Sequence, residues 1–261
     1  MGPSIPVTEA APKTIACIYA RGDVAVSDLF FSHIAKAIEQ EAFKRNFFMK
    51  HSFTALDIAN PEIAAKIANI QVDGAVILGR YDKQMLRFFT EHYKHIIYAG
   101  LNPMGNKYDQ VVCEGHDITF SAISYLHELG HTKIGYIGEQ SNEVRYTAFK
   151  DALQKLGLPF LQKNTANVKL SHEGGYQGAY HLMEAKSDIT AIFCANDNTA
   201  IGAIKALRER GFRIPEDISI IGVDDIETAQ YLSPMLTTVH IPTEDRSEER
   251  RVGKECLEWW W

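Results

Sequence analysis

The chain predicts an α/β fold of two similarly wound lobes, and three observations carry that expectation. Short apolar runs of strand length alternate with amphipathic stretches of helix length almost from end to end. The connections between successive runs are long enough to hold a helix, as parallel neighbours require. The alternation also restarts near the middle, which gives two βα series of about five strands each. At 261 residues the chain has room for two lobes of about 100 to 130 residues, sizes at which a self-sufficient core is routine.

Thr14–Tyr19 reads as a buried strand, and Ser32–Arg45 follows as a helix with Ile34, Ala35, Ile38 and Ala42 on one stripe. Asn46 is placed to close that helix in the left-handed region. Ser52–Leu56 is the next strand, Pro61–Ala68 a helix opened by proline, Gly74–Leu78 a strand and Asp82–Tyr93 a helix. Ile96–Tyr98 and Gln110–Cys113 complete the first series. The second runs Ile118–Leu129 helix, Lys133–Ile137 strand, Glu143–Leu156 helix, Asn167–Lys169 strand and Gly174–Ala185 helix. It closes with the strand Ala191–Cys194, the helix Thr199–Glu209 and the strand Ile218–Val223. With no low-complexity linker between the series, the boundaries fall at 14–112 for the first lobe and 113–240 for the second. Hinges are expected near Cys113–Asp117 and Thr237–Pro242.

Composition narrows the function classes. Hydrophobic residues at 46% and charged residues at 23% describe an ordinary globular protein. A net charge of -6, with lysine and arginine scattered, carries no electrostatic footprint for nucleic acid. The cysteines Cys17, Cys113, Cys194 and Cys256 form no CxxC pair, so reduced, buried thiols are expected. The opening MGPSIPVTEAAP lacks the apolar core of a leader, and no run reaches the ~18 apolar residues of a membrane span. These features give a cytoplasmic expectation with no membrane partner.

Polar residues gather where strands end. Ala191–Leu207 reads AIFCANDNTAIGAIKAL, an apolar strand emptying into Asn196-Asp197, and Ile218–Val223 empties likewise into Asp224-Asp225. In an open α/β sheet the carboxyl ends of the strands are where ligands bind. Asn and Asp are also favoured helix caps, so both readings stand for Asn196 and Asp224, while Asp73, Asp197 and Asp225 are assigned to turns and caps.

His127-Glu128-Leu129-Gly130-His131 satisfies HExxH, which on a continuous helix presents two imidazoles to zinc. Gly130 is expected to stop the helix, and a strand begins at Lys133, so His131 should turn away from His127. Asp224-Asp225 as a magnesium site lacks an accompanying phosphate loop, since Gly135–Gly138 is neither GxGxxG nor a P-loop. No GxSxG or Cys/His pairing suggests a covalent nucleophile. Catalysis, metals and cofactors are therefore not expected.

FCANDNTAIGAIKALRERGFRIPEDISIIGVDDIE followed by LSPMLTTVHIP resembles the effector-binding core of the lactose-repressor and galactose-repressor (LacI/GalR) family of bacterial transcription regulators. VDGAVIL at Val72–Leu78, LHELGHTKIGYIG at Leu126–Gly138 and VRYTAFKDAL at Val144–Leu153 extend the likeness from about Lys13 to Thr243. The resemblance implies two Rossmann-like lobes with parallel sheets, of the type I periplasmic-binding-protein-like kind, holding a small effector in the cleft between them. It also implies a homodimer, and operator DNA bound only through an N-terminal helix-turn-helix headpiece that this sequence does not contain. Ligand-driven closure would then shift one lobe against the dimer mate and alter DNA affinity by linkage.

The resemblance carries over residue by residue. Phe30 and Phe31 lie where the family sets apolar side chains against the ligand ring; by pattern alone they also suit a helix core. Arg145 matches the arginine whose planar fork holds ligand oxygens, Asn196 supplies donor and acceptor, and Asp224 accepts from hydroxyls. Asp117 is a weaker candidate at the first crossover. Those groups describe a polyol site, so a sugar or galactoside is expected ahead of a purine-like ligand. Cys113 stands where the family commonly has aspartate, and Leu170 where several members have a stacking aromatic, so the family's ligands do not transfer directly. Residues 1–13 resemble linker, and Thr243–Trp261, the stretch that would return to the first lobe, reads as an altered or non-native end. The competing reading is a free sugar-binding receptor that serves a transporter.

Overall fold

The computed structural model describes residues 11–20, 29–54, 58–100, 102–105, 107–112 and 115–241, with the side chains of residues 29 and 30 left aside. The expectations for Phe30's side chain, for Cys113 and Cys256, for part of the first hinge and for the tail beyond Ile241 lie outside them. Contacts divide the described residues into two units: those up to Gly100 with Met104–Val111, and 102–103 with 112–241.

The first unit is a five-stranded sheet in the order β2-β1-β3-β4-β5, built from β1 (Lys13–Tyr19), β2 (Phe47–Thr54), β3 (Gly74–Leu78), β4 (Ile96–Gly100) and β5 (Gln110–Val112). The β1/β2, β1/β3 and β3/β4 pairs are parallel. Between them run α1 (Leu29–Lys44), α2 (Pro61–Ala68) and α3 (Lys83–His92). Asn60 caps α2 by accepting from the Glu62 and Ile63 amides, and Asp82 caps α3 through the Met85 amide. Asn46 closes α1 at φ 61, in the left-handed region expected for it. One core joins Ile18, Ala75 and Ile77 of the sheet to Ile67 of α2 and Phe89 of α3; a second joins Cys17, Val76 and Leu78 to Ala35 of α1. Strand β2 starts at Phe47, five residues before the expected Ser52, because the chain turns straight from Asn46 into an edge strand. Its alternating half-buried and exposed residues lack the continuous apolar run that marks β1 and β3.

The second unit repeats the winding with β6 (Ile134–Gly138), β7 (Thr165–Asn167), β8 (Ala191–Cys194), β9 (Ser219–Asp224) and β10 (Thr237–His240), in the order β10-β9-β8-β6-β7. All of its registered pairs are parallel. Its helices are α4 (Gly115–Glu128), α5 (Val144–Lys155), α6 (His172–Glu184) and α7 (Asp197–Glu209). Thr237–His240, expected as hinge, is an edge strand paired with β9. Its half-buried, polar TTVH hides a strand from an apolar-run criterion. Strand β7 is three residues long and ends where Asn167–Lys169 had been expected to begin.

Helices α6 and α7 touch through glycine. A Cβ on Gly175 would collide with the Thr199 carbonyl, and one on Gly202 with the His172 carbonyl. The HEGG and TAIG segments thus let two backbones meet where any side chain would hold them apart. Cys17 and Cys194 are free and buried, and burial pushes the Cys17 thiol up to about 12. No helix among the described residues is long and apolar enough to cross a membrane.

Candidate functional site

In the second unit the chain passes from β6 to β7 on one side, then crosses back to β8 on the other. The winding therefore reverses between β6 and β8. At such a reversal the loops after neighbouring strands diverge and leave a crevice beyond the strands' carboxyl ends. The residues that follow β6, β8 and β9 are the ones this topology brings to that edge.

After β6 the chain enters α5 through Glu143 and Arg145, both buried. Glu143 is the N-cap residue, and its Oε1 accepts the Arg145 amide at 3.0 Å. The same carboxylate grips the Arg145 side chain: Nε donates to Oε1 at 2.8 Å and Nη2 to Oε2 at 3.0 Å. Arg145 Nη1 donates to the Ala195 carbonyl, which ties the loop after β6 to the loop after β8. Burial by itself would lower the Arg145 pKa, but the charge and hydrogen bonds of Glu143, aided by the charge of Asp224, outweigh it and hold the guanidinium above its ordinary value. The ion pair is almost dry, with side-chain exposures of 5% and 1%. These bonds occupy one N–H on each guanidinium nitrogen, so at most one on each terminal nitrogen is left for a ligand.

After β8, Asn196 is buried and caps α7, its Oδ1 accepting from the Thr199 amide at 3.0 Å and the Thr199 hydroxyl at 2.6 Å. The capping role open to it in the sequence is thus filled by its oxygen, while its amide nitrogen donates to no described residue. At the end of β9, half-buried Asp224 has φ 111 and the next residue, Asp225, has φ 53, two successive non-glycine residues at positive φ. Such backbone costs about 1–3 kcal/mol per residue and persists where the surroundings enforce it. Arg145, Asn196 and Asp224 follow or end three strands at one sheet edge; Arg145 bonds the Ala195 carbonyl beside Asn196 and is held charged in part by Asp224.

Asp117 lies exposed in the first turn of α4 and makes no hydrogen bond or ion pair among the described residues. Phe31 is half-buried in α1 against the Cys17, Val76 and Leu78 core, the packing role its helical position also allowed. Asp197 binds the Ile226 amide at 3.0 Å and the Thr238 hydroxyl at 2.7 Å, holding the turn after β9 and the edge strand β10. Burial pushes its carboxyl up to about 6 against the pull of those two donors, with the Asp225 charge adding to the rise.

Sequence reasoning did not single out Glu143, whose role required knowing that the Arg145 side chain folds back over the helix start. It also missed a brace on the loop after β6. There the Gln140 amide donates to Asn167 Oδ1 at 3.0 Å, and Gln140 and Gln162 side chains both donate to the Thr165 hydroxyl.

The HExxH segment resolves as its glycine suggested. Helix α4 ends at Glu128, Gly130 sits at φ 90, and His131 leaves the helix. Its Nδ1 lies 2.9 Å from the Thr190 hydroxyl and its Nε2 3.0 Å from the Ser219 hydroxyl, so neighbouring strand ends engage both ring nitrogens. Among the described residues no group of three His, Cys, Asp or Glu side chains could hold a metal. A depression of about 350 Å³ on α3, lined by Lys83, Leu86, Arg87, Thr90, Glu91 and Tyr108, carries an exposed Arg87–Glu91 pair and no buried convergent polar groups. It does not compete with the β6/β8 edge.

Residues 123–249 match the family described as a periplasmic binding protein-like domain. The HTH-type transcriptional repressor PurR of Vibrio atlanticus (strain LGP32) is 30% identical over 245 residues, covering 89% of this chain and 70% of that protein. PurR of Yersinia pestis (strain Pestoides F) is 30% identical over 229 residues, 84% of this chain and 67% of that one. A LacI family transcriptional regulator from Enterococcus faecium, solved with bound ribose, superposes with a TM-score of 0.74 at 27% identity, covering 90% of this chain and 86% of its own. The transcriptional regulator CelR, solved as a cellobiose complex, reaches 0.81 at 22% identity over 91% of this chain and 76% of its own, a likeness of fold. On the strength of those relatives and of the paired doubly wound sheets, the chain belongs to the LacI/GalR family of transcription regulators and is the effector-binding core of such a regulator.

Proposed function

We propose that this core senses a sugar, held at the carboxyl edge of β6, β8 and β9 by Arg145, Asn196 and Asp224, and that the occupied site alters the operator affinity of a homodimeric bacterial repressor. The observation that carries the reading is the Arg145 guanidinium, anchored at once to Glu143 and to the Ala195 carbonyl beside Asn196. An arginine fixed on two sides, with a carboxamide donor and a carboxylate from neighbouring loops, supplies the mixed donors and acceptors that ring hydroxyls need. The ribose-bound relative supports a sugar ahead of a purine-like ligand. The resemblance keeps Phe30 and Phe31 as apolar ligand contacts and Asp117 as a lesser polar one. That the matching relatives are repressors supports regulation over service as a transport receptor.

Calorimetric titration with ribose, cellobiose, a galactoside and adenine, on wild type and Asp224→Ala, tests this. Saturable binding of one sugar by wild type, weakened at least about tenfold in the variant, is expected for a carboxylate that accepts from ligand hydroxyls. Equal affinity in both proteins removes Asp224 from the site, and binding of adenine alone overturns the sugar reading. Light scattering at micromolar concentration checks the dimer, and a monomeric mass counts against it.

A further inference from the structure

The start of α5 together with the Arg145 guanidinium is a seat built for an anion. Backbone N–H groups at a helix N-terminus favour negative charge, and a guanidinium fork matches a carboxylate or phosphate. Here that seat is filled from within the chain. Glu143 takes the Arg145 amide, Nε and Nη2 with its two oxygens, in a pair whose side chains are 1% and 5% exposed. Asp224 bears on the same guanidinium by charge. One carboxylate therefore covers a fixed cation, with a second adding negative charge nearby, at the edge where the effector is proposed to bind.

We infer that Glu143 is a specificity-determining residue of this site: by occupying the anion seat of Arg145 and α5, it makes the site accept uncharged hydroxylated ligands and reject phosphorylated or carboxylated ones. The inference rests on the reading of this edge as the effector site. An incoming phosphate would have to displace Glu143 from three hydrogen bonds or sit beside two carboxylates. Like charges a few ångströms apart in a partly buried site weaken such a ligand on the order of tenfold to a hundredfold. Uncharged hydroxyls meet no such repulsion and need only the N–H groups of the terminal nitrogens that Glu143 and the Ala195 carbonyl do not take.

Inorganic phosphate is the probe, titrated by calorimetry at fixed ionic strength into wild type, Glu143→Gln and Glu143→Gln/Arg145→Met. Glutamine keeps the shape and one acceptor while removing the charge. Wild type is expected to bind phosphate at least about tenfold more weakly than E143Q, and the added R145M should abolish the gain. A folded E143Q with no gain, or a gain that survives R145M, overturns the inference. Should E143Q fail to fold, wild type decides: phosphate bound at about millimolar affinity overturns the inference, and its absence supports it. Ribose titrated in parallel separates the two proposals. Failure of every sugar with the phosphate pattern intact sinks the effector reading alone, whereas sugar binding alongside equal phosphate binding by wild type and E143Q sinks this one alone.

Discussion

The two units are wound identically and furnished differently. Counting strands within each, both sheets run second, first, third, fourth, fifth, so each reverses its winding between its first and third strands. In the second unit that edge carries a buried ion pair, a capping asparagine and an aspartate at positive φ. In the first, among the described residues, it carries Arg80 and aromatic groups. The Tyr81 hydroxyl, just past β3, lies 2.6 Å from both the Ile77 and the Ala99 carbonyl oxygens, one of which takes its proton, and the ring packs edge-on to Tyr98 at 5.0 Å. Identical topology thus places an edge suited to ligands in each half, while local residues decide its chemistry: a buried ion pair with a capping carboxamide in one and, among the described residues, a tyrosine pair beside Arg80 in the other.

Breaking the ion pair tests that contrast most severely. Arg145→Ala is expected to cost about 3–5 kcal/mol, because it strands the Glu143 carboxylate in a dry site, whereas Glu143→Leu with Arg145→Met costs much less than the two single changes combined. Tyr81→Phe at the equivalent edge of the first unit should cost only about 1 kcal/mol, the worth of one neutral hydrogen bond. Urea unfolding of wild type, Arg145→Ala, Tyr81→Phe, Glu143→Leu, Arg145→Met and the Glu143→Leu/Arg145→Met double variant checks the ranking, and equal costs in both units would erase the distinction. Gly175→Ala comes next. Its methyl meets the α7 backbone, so the helices must part, at about 3 kcal/mol or slightly less, readable as a lowered thermal midpoint.

The pH response sharpens the comparison further. Asp197 has its carboxyl raised to about 6 in the folded chain, against an unfolded value near 3.8. A raised carboxyl binds its proton better when folded, so its contribution is complete below about pH 4 and is lost as pH rises through about 6. The loss is on the order of 2–3 kcal/mol. Wild-type stability should therefore fall across that window more steeply than that of Asp197→Asn, which carries no titrating group there; parallel slopes would refute the assignment. The smallest effect is at Asp224. Both Asp224→Gly and Asp224→Ala lose the carboxylate, but only glycine accepts φ 111 without strain, so the glycine variant should be the more stable by about 1 kcal/mol. In an ordinary strand the order is reversed.

Strand ends were legible where burial was complete. Gly74–Leu78 and Ala191–Cys194 are continuous apolar runs and lie at their expected bounds, as does the proline-opened helix Pro61–Ala68. Strands β2 and β10 were not, since edge strands half-exposed on both faces lose the apolar signature. Within the candidate site, Asn196 and Asp224 were legible from their positions after apolar runs together with the family likeness, and Arg145 from the likeness alone. Glu143 stayed hidden because its partner is two residues away, a spacing that does not face on a helix surface and becomes a contact only when the long arginine side chain curls back over the N-terminus. The brace from Gln140 and Gln162 to Thr165 joins residues far apart in the chain, so no local pattern announces it.

By itself the sequence determined the architecture of this protein: the period of its apolar residues sets which segments become strands or helices, and crossovers of helical length make the sheets parallel. It also determined that polar residues follow the second unit's strands. Only the tertiary structure decided what those residues do, turning Asn196's oxygen inward to α7, closing Glu143 on Arg145 and setting Asp197 against β10. The reason is that secondary structure follows from interactions within a few residues. The state of a buried charge instead depends on which distant groups share its dry surroundings, and folding alone brings those together.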